Sequence, residues 1–309
     1  MRMLRLGFRS LQAISPTWAA ALAERLFFTP PRSRLTQAMR AELERGKSLS
    51  VRVEGHRVAG WSWGPADAPI VYLVHGWGSR GGRLTAFVRP LVAAGFRVIA
   101  FDGIGHGASE GQLSSAPQLA RGLMALVAAV GPAHAVVAHS LGAAVTTLAL
   151  EWGMPVSRAA FLAPNADPVA HTLRWARRLG LRSDVVARMR AASERRIAFS
   201  WDELNVLVMA RRRRTPLLVI HDAFDQVVPW TEGAAIVDEW PDSRLVTTRG
   251  LGHSDVVRTP AVVAQAVQFL SIGAGAIVRP TTPGTRESHG IEQELFFREW
   301  RTPRPRASA

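Results

Sequence analysis

Five short apolar runs without a charged residue recur through the middle of the chain, at 70–74, 98–101, 135–138, 159–162 and 217–220. Runs of four or five such residues do not alternate in polarity, so they suit strands covered on both faces. A sixth run follows at 244–247, and helical patterns lie between the runs, near 83–94, 117–130, 141–152, 231–240 and 260–271. Alternation of this kind predicts an α/β fold, a mostly parallel central sheet flanked by helices. Upstream, Val51, Val53, Val58, Trp61 and Trp63 alternate around Gly55-His56, which predicts two antiparallel strands.

The rhythm breaks once. Between Pro164 and Pro216 no strand pattern appears, only Arg-rich helical segments at 168–179, 184–198 and 201–211. An insertion after one strand of such a sheet is placed to form a helical lid over the carboxyl edge, where α/β folds bind ligands. The expected organisation is an N-terminal helical extension (1–49), a core in two pieces (50–163 and 215–272), the lid (164–214) and a flexible tail (273–309). In the extension, Pro16 opens a helix that ends before Thr29-Pro30-Pro31. Trp18, Leu22 and Leu26 share one of its faces, which is expected to pack on the body. The alternative use of this segment, with Arg2, Arg5 and Arg9 and no acid before Glu24, is peripheral contact with an anionic membrane. From 122 to 150 there is no charged residue, but Gly131-Pro132 breaks the stretch and His134, His139 and Ser140 interrupt it. Two elements around a turn are expected there, not a membrane span.

The formal net charge is +14. The excess is peripheral, at +6 for 1–50, +7 for 164–214 and +2 for 276–309, against −1 for the rest. Lys47 is the only lysine, so the arginine surplus fits a GC-rich, bacterial coding bias better than selection for phosphate contacts, and no nucleic-acid partner is expected. The absence of Cys excludes disulfide scaffolds, thiol nucleophiles and iron–sulfur clusters, and fits a cytoplasmic location. The nine His show no metal-ligand spacing, and Gly105-His106-Gly107 lacks the third Gly of a dinucleotide fingerprint, so no metal or cofactor is expected.

Chemistry concentrates at the ends of the runs. Ser140 lies in Ala138-His139-Ser140-Leu141-Gly142, between a strand and a helix. A turn this sharp needs small residues two before and two after the Ser, and it exposes the hydroxyl above the sheet. The run 70–74 leads into His75-Gly76-Trp77-Gly78, the run 98–101 into Asp102-Gly103-Ile104-Gly105-His106-Gly107, the run 217–220 into His221-Asp222-Ala223-Phe224-Asp225, and the last into Gly250-Leu251-Gly252-His253. His75, His106 and His139 are expected to satisfy loop carbonyls, and Asp102 to organise its loop.

Taken together, these motifs resemble the α/β-hydrolase fold family, in particular its lidded, esterase- or lipase-like serine hydrolases, over roughly residues 50–272. The resemblance implies Ser140 as nucleophile, His253 as general base and then acid, Asp225 as the carboxylate orienting it, and the N–H groups of Trp77 and Leu141 as oxyanion donors. Asp222 and Asp167 are the competing carboxylates. Ala138 departs from the usual Gly by one methyl, which the elbow can tolerate. A serine hydroxyl needs a base to become a nucleophile at neutral pH, and imidazole supplies one without permanent charge.

The implied reaction is cleavage of a carboxylic ester, a small molecule with a largely apolar acyl group, through an acyl-enzyme. Trp175, Leu179, Val185, Val186, Met189, Phe199, Trp201, Leu204, Val206, Leu207 and Met209 of the lid are candidates for lining the acyl pocket. The alternatives are an acyltransferase or C–C hydrolase with the same triad, and a non-catalytic protein that binds membranes or polyanions through its basic periphery.

Overall fold

A computed structural model describes residues 2–272; the expected tail lies outside the described residues. The strands are β1 (Lys47–Val53), β2 (His56–Trp63), β3 (Ile70–Val74), β4 (Arg97–Phe101), β5 (Ala133–His139), β6 (Val156–Leu162), β7 (Leu217–Asp222) and β8 (Ser243–Thr248). They form one sheet in the order β1-β2-β4-β3-β5-β6-β7-β8. β1 and β2 pair antiparallel around the Glu54-Gly55 turn, and β2 pairs antiparallel with β4. From β4 to β8 every pairing is parallel.

The two-residue period of a strand divides the sheet's side chains between two cores. Tyr72, Val74, Ile99, Phe101, Val136 and Phe161 face one layer. That layer contains α5 (Ala116–Val130), α6 (Leu141–Glu151) and α10 (Trp230–Glu239). Val71, Leu73, Val98, Ala100, Val137 and Leu162 face the other, where the 3-10 segment Gly81–Phe87, α4 (Val88–Ala93) and α12 (Pro260–Ser271) pack. Both faces are therefore dry, as the uninterrupted apolar runs require. The charge-free stretch 122–150 divides into the end of α5, β5 and α6. Among the described residues no helix is long and apolar enough to cross a membrane.

The remaining helices are α1 (Arg2–Ile14), α2 (Pro16–Phe28), α3 (Gln37–Arg45), α7 (Pro168–Leu179), α8 (Ser183–Ile197), α9 (Val206–Ala210) and α11 (Gly252–Asp255). The expected helix at 201–211 contracts to the five residues of α9, which Asn205 caps by accepting from Leu207 N–H at 2.9 Å. α1 and α3 are additional to the helices expected from the sequence.

A third apolar cluster joins the two ends of this region. Phe8 of α1 and Ala19, Ala20 and Ala23 of α2 pack with Leu179 of α7 and Val185 and Met189 of α8. Small side chains at Ala19, Ala20 and Ala23 let the α2 backbone approach α8, and the Arg196 guanidinium binds Glu24 across the same contact. The consequence overturns the expectation for α2: its alanine face is buried, whereas Trp18, Leu22 and Leu26 face solvent.

Candidate active site

The turn from β5 into α6 places Ser140 at φ +53° and ψ −121°. Non-glycine residues seldom adopt a positive φ, and holding one there costs on the order of 1–3 kcal/mol. The surroundings fix it. Ser140 N–H donates to the Leu162 carbonyl at 3.0 Å, and its own carbonyl accepts from Ala143 N–H at 3.0 Å. A methyl group on Gly142 would lie 2.4 Å from the Val74 carbonyl oxygen, and one on Gly76 would lie 2.9 Å from Ser140 Cβ. Both glycines are therefore required by close approach of the strand, the elbow and the loop after β3.

That loop carries Trp77, and two histidines shape it. His75 Nδ1–H donates to the Gly76 carbonyl at 2.8 Å, while its Nε2 accepts from Gly103 N–H at 2.9 Å. His106 donates from Nδ1 to the Ile104 carbonyl at 3.0 Å and accepts at Nε2 from Gly78 N–H at 3.1 Å. Burial lowers both imidazoles, His75 to about 4 and His106 to about 3, so each stays neutral with one acceptor nitrogen. Asp102 accepts from Gly81 N–H and Ala108 N–H, both at 2.7 Å. These residues organise loops, as their sequence positions suggest. Leu141 is the first residue of α6, so its N–H has no intrahelical acceptor.

At the far end of the sheet, Asp225 Oδ2 accepts from His253 Nδ1–H at 2.7 Å. Its Oδ1 accepts from the N–H groups of Val227 at 2.8 Å and Val228 at 3.0 Å. Burial opposes the charge on Asp225, but hydrogen bonds from His221, His253 and Val228 outweigh it and hold the carboxyl well below the usual carboxylate range. Asp222 has a different task. It accepts from Thr248 Oγ1 and from Leu251 N–H, both at 2.9 Å, and so ties the loop bearing His253 to β7 and β8. Asp167 caps α7, accepting from Ala170 N–H at 3.0 Å.

The elbow and this pair are adjacent through His139. Its ring lies 4.7 Å from the His253 ring, centroid to centroid, and its Nε2–H donates to the His253 carbonyl at 3.0 Å. Ser140 Oγ makes no hydrogen bond among the described residues. The structure thus joins Asp225 to His253 directly and brings His253 beside the residue preceding Ser140.

Ser140, Trp77 and Leu141 share the wall of a cavity of about 360 Å³, within the size range of small-molecule sites. Its apolar walls come from two places. Trp175, Ile197, Trp201 and Leu204 belong to the segment after β6, and Leu26, Phe27 and Phe28 belong to α2. The Phe27 and Trp175 rings meet edge-on at 5.4 Å, joining the two sides. Of the residues expected to line an acyl pocket, Trp175, Trp201 and Leu204 do so. Leu179, Val185 and Met189 are instead buried against α1 and α2, and Val206 and Met209 join the sheet's core. Three polar atoms of residues on this wall are buried without a protein partner: Ser114 Oγ, Asn165 Oδ1 and His171 Nδ1. Sequence reasoning missed the α2 residues; the Phe27-Phe28 pair just before Thr29-Pro30-Pro31 was the available signal. The run Arg211–Arg214 is mostly paired, Arg211 with Glu239 and both Arg212 and Arg213 with Glu151.

A mostly parallel eight-stranded sheet with helices on both faces and a sharp strand-to-helix turn at a serine is the α/β-hydrolase fold, and the chain adopts it. Residues 65–212 match the family model described as serine aminopeptidase, S33. Comparison with curated proteins finds no match. Among solved structures, a hydrolase from Pseudomonas aeruginosa is 24% identical, with a TM-score of 0.58, covering 74% of this chain and 99% of its own. An esterase from Thermogutta terrifontis is 19% identical, with a TM-score of 0.56 and coverage of 74% and 99%. Est1E from Butyrivibrio proteoclasticus, solved with ferulic acid, is 18% identical, with a TM-score of 0.57 and coverage of 72% and 96%. At these identities the likeness carries the fold, and the chemistry rests on the site itself.

Proposed function

We propose that the chain is a serine hydrolase that cleaves a carboxylic ester with a largely apolar acyl group. The observation that carries this reading is the 2.7 Å hydrogen bond from His253 Nδ1 to the buried carboxylate of Asp225, formed beside an elbow serine on the wall of an apolar cavity. In this reading Asp225 fixes the imidazole tautomer, leaving Nε2 as the base that takes the Ser140 proton as Oγ attacks the ester carbonyl. The tetrahedral oxyanion is met by the N–H groups of Trp77 and Leu141. His253 returns the proton to the leaving alcohol, and water then releases the acid by the same steps in reverse order. Catalytic hydrogen bonds are often long in a free enzyme and tighten on substrate binding, which accommodates an unengaged Ser140 Oγ. The helices after β6, together with α2, act as the lid that encloses the acyl group.

The description of the matching family model as serine aminopeptidase suggests amide cleavage instead. An aminopeptidase must hold a substrate's cationic amine, and no Asp or Glu lines this cavity among the described residues. A cation in an apolar site without a counter-charge is unfavourable by several kcal/mol, so the ester is the better substrate.

The test is covalent labelling with a fluorophosphonate probe, mapped to a residue, followed by a panel of nitrophenyl esters of increasing chain length. Labelling at Ser140 and loss of about 10⁴-fold or more in kcat for Ser140→Ala are expected. Hydrolysis by Ser140→Ala at the wild-type rate removes the proposal.

A further inference from the structure

The α2 stripe that sequence reasoning turned inward is the end of a longer exposed ridge. Trp18, Leu22 and Leu26 follow one another at four-residue spacing along α2 and are 73, 42 and 37% exposed, and Ile14, 83% exposed, precedes them at the end of α1. Leu26 is also part of the cavity wall that includes Ser140 and Trp77, so the α2 stripe reaches the cavity. On α1, Met3 and Leu6 are exposed as well. The side chains that are buried here, Phe8, Ala19, Ala20 and Ala23, already hold the helices on the body. The exposed apolar groups are therefore not needed to dock the extension.

The charge around the ridge is predominantly positive, with Asp184 already bound to Arg182. Arg5 and Arg9 are exposed on α1 and have no carboxylate partner among the described residues. With Leu6, Gln12, Gly180 and Arg182 they line an open groove of about 690 Å³. Arg25 is exposed on α2, and the first acidic residue of the chain, Glu24, is buried and held by Arg196. Arg25 borders the apolar stripe on α2, while Arg5 and Arg9 flank it from the side of α1 toward Gly180, and apolar side chains flanked by arginines suit the boundary between acyl chains and anionic headgroups. A second copy of the chain suits the face less well, because a two-fold contact would bring the same unpaired arginines together, and the one nearby acid, Asp184, is already engaged by Arg182.

We infer that the α1–α2 ridge docks this protein on bilayer surfaces that contain anionic lipids, with Ile14 and Trp18 entering the interface and Arg5 and Arg9 meeting headgroups. Leu26 then sets the cavity at the membrane, where an apolar ester substrate is concentrated. That consequence for substrate entry rests on the ester-hydrolase reading, whereas the docking does not.

Flotation of the full chain with phosphatidylcholine vesicles, with and without phosphatidylglycerol, tests the inference. Binding is expected only with phosphatidylglycerol and is expected to weaken as salt rises. The double variant Ile14→Ser/Trp18→Ser and the double variant Arg5→Ser/Arg9→Ser should each lose at least ~10-fold in vesicle affinity. Both should keep the wild-type melting temperature and the wild-type rate on a soluble short-chain ester. Failure of the wild type to float with anionic vesicles overturns the inference, as does flotation of either variant at the wild-type level. It is equally overturned if the wild type sediments as a dimer that Ile14→Ser/Trp18→Ser converts to monomer while vesicle binding is unchanged. Absence of wild-type activity on the soluble ester strikes the hydrolase reading alone and leaves flotation as the measure of docking.

Discussion

His139 donates from Nε2 to the backbone carbonyl of His253 at 3.0 Å, so the residue immediately before Ser140 holds the loop that carries the imidazole. Burial, reinforced by repulsion from His253, lowers His139 to about 3, which keeps it neutral and leaves the donor role unambiguous near neutrality. Its Nδ1 has no protein partner, so this bond and the ring contact with His253 are what the side chain contributes to the loop.

Replacing His139 by Leu removes the donor and loosens the loop that positions His253 without altering Ser140, His253 or Asp225 themselves. In the proposed reaction, displacement of the base by about 1 Å typically costs ~100-fold, and a loss of this order is expected in kcat with KM nearly unchanged. His139→Gln, which restores an N–H, should recover part of it. Steady-state kinetics on a nitrophenyl ester checks both variants. A fall in thermal stability with unchanged kcat would assign His139 a packing role only.

Glu232 connects two elements that frame the cavity. It is buried at the start of α10, accepts from Ala166 N–H at 2.9 Å and pairs with Arg174 of α7 at 2.5 Å. Pro168, His171, Thr172 and Trp175 of α7 line the cavity, so this carboxylate fixes one of its walls. Glu232→Ala leaves Ala166 N–H and a partly buried guanidinium unpaired, at a cost of about 2 kcal/mol. The expected kinetic signature is a several-fold rise in KM for long-chain esters and little change for acetate, read from a chain-length series. An equal rise across the series would place the effect elsewhere.

The strands of this fold were legible because a strand covered on both faces admits no charge, as in the run at Ile70–Val74. Ser140 was legible because an elbow needs small neighbours, and the structure shows why at Gly142, where a methyl group would lie only 2.4 Å from the Val74 carbonyl oxygen. The Asp225–His253 hydrogen bond bridges 28 positions in the chain, and the motif around each residue, not any local pattern, indicated it. What could not be read was the orientation of α2. Periodicity identifies an apolar face but not which of two faces is buried, and here the alanines at 19, 20 and 23 win because they permit close helix contact. The same ambiguity hid the contribution of Phe27 and Phe28 to the cavity, which depends on packing against Trp175 far along the chain.

Acid should unfold this protein through its buried histidines. His75, His106 and His139 are lowered by burial from an ordinary 6.5 to about 4, 3 and 3, respectively. The unfolded chain therefore takes up protons near 6.5 that the folded chain refuses until the pH is far lower. Between these limits the unfolded state binds more protons, so stability rises with pH. The contribution is complete above about 6.5 and is lost as the pH falls toward 4, at on the order of 1 kcal/mol per pH unit for each histidine. Protonation of His75 or His106 also converts Nε2 from an acceptor to a donor, breaking the bonds from Gly103 N–H and Gly78 N–H that shape the Trp77 loop. Urea unfolding across this pH range should show a midpoint that falls steadily on acidification. A midpoint that stays level down to pH 4 would mean that these imidazoles accept protons in the folded chain at little cost, and the neutral acceptor role given to His75 and His106 would fail with it.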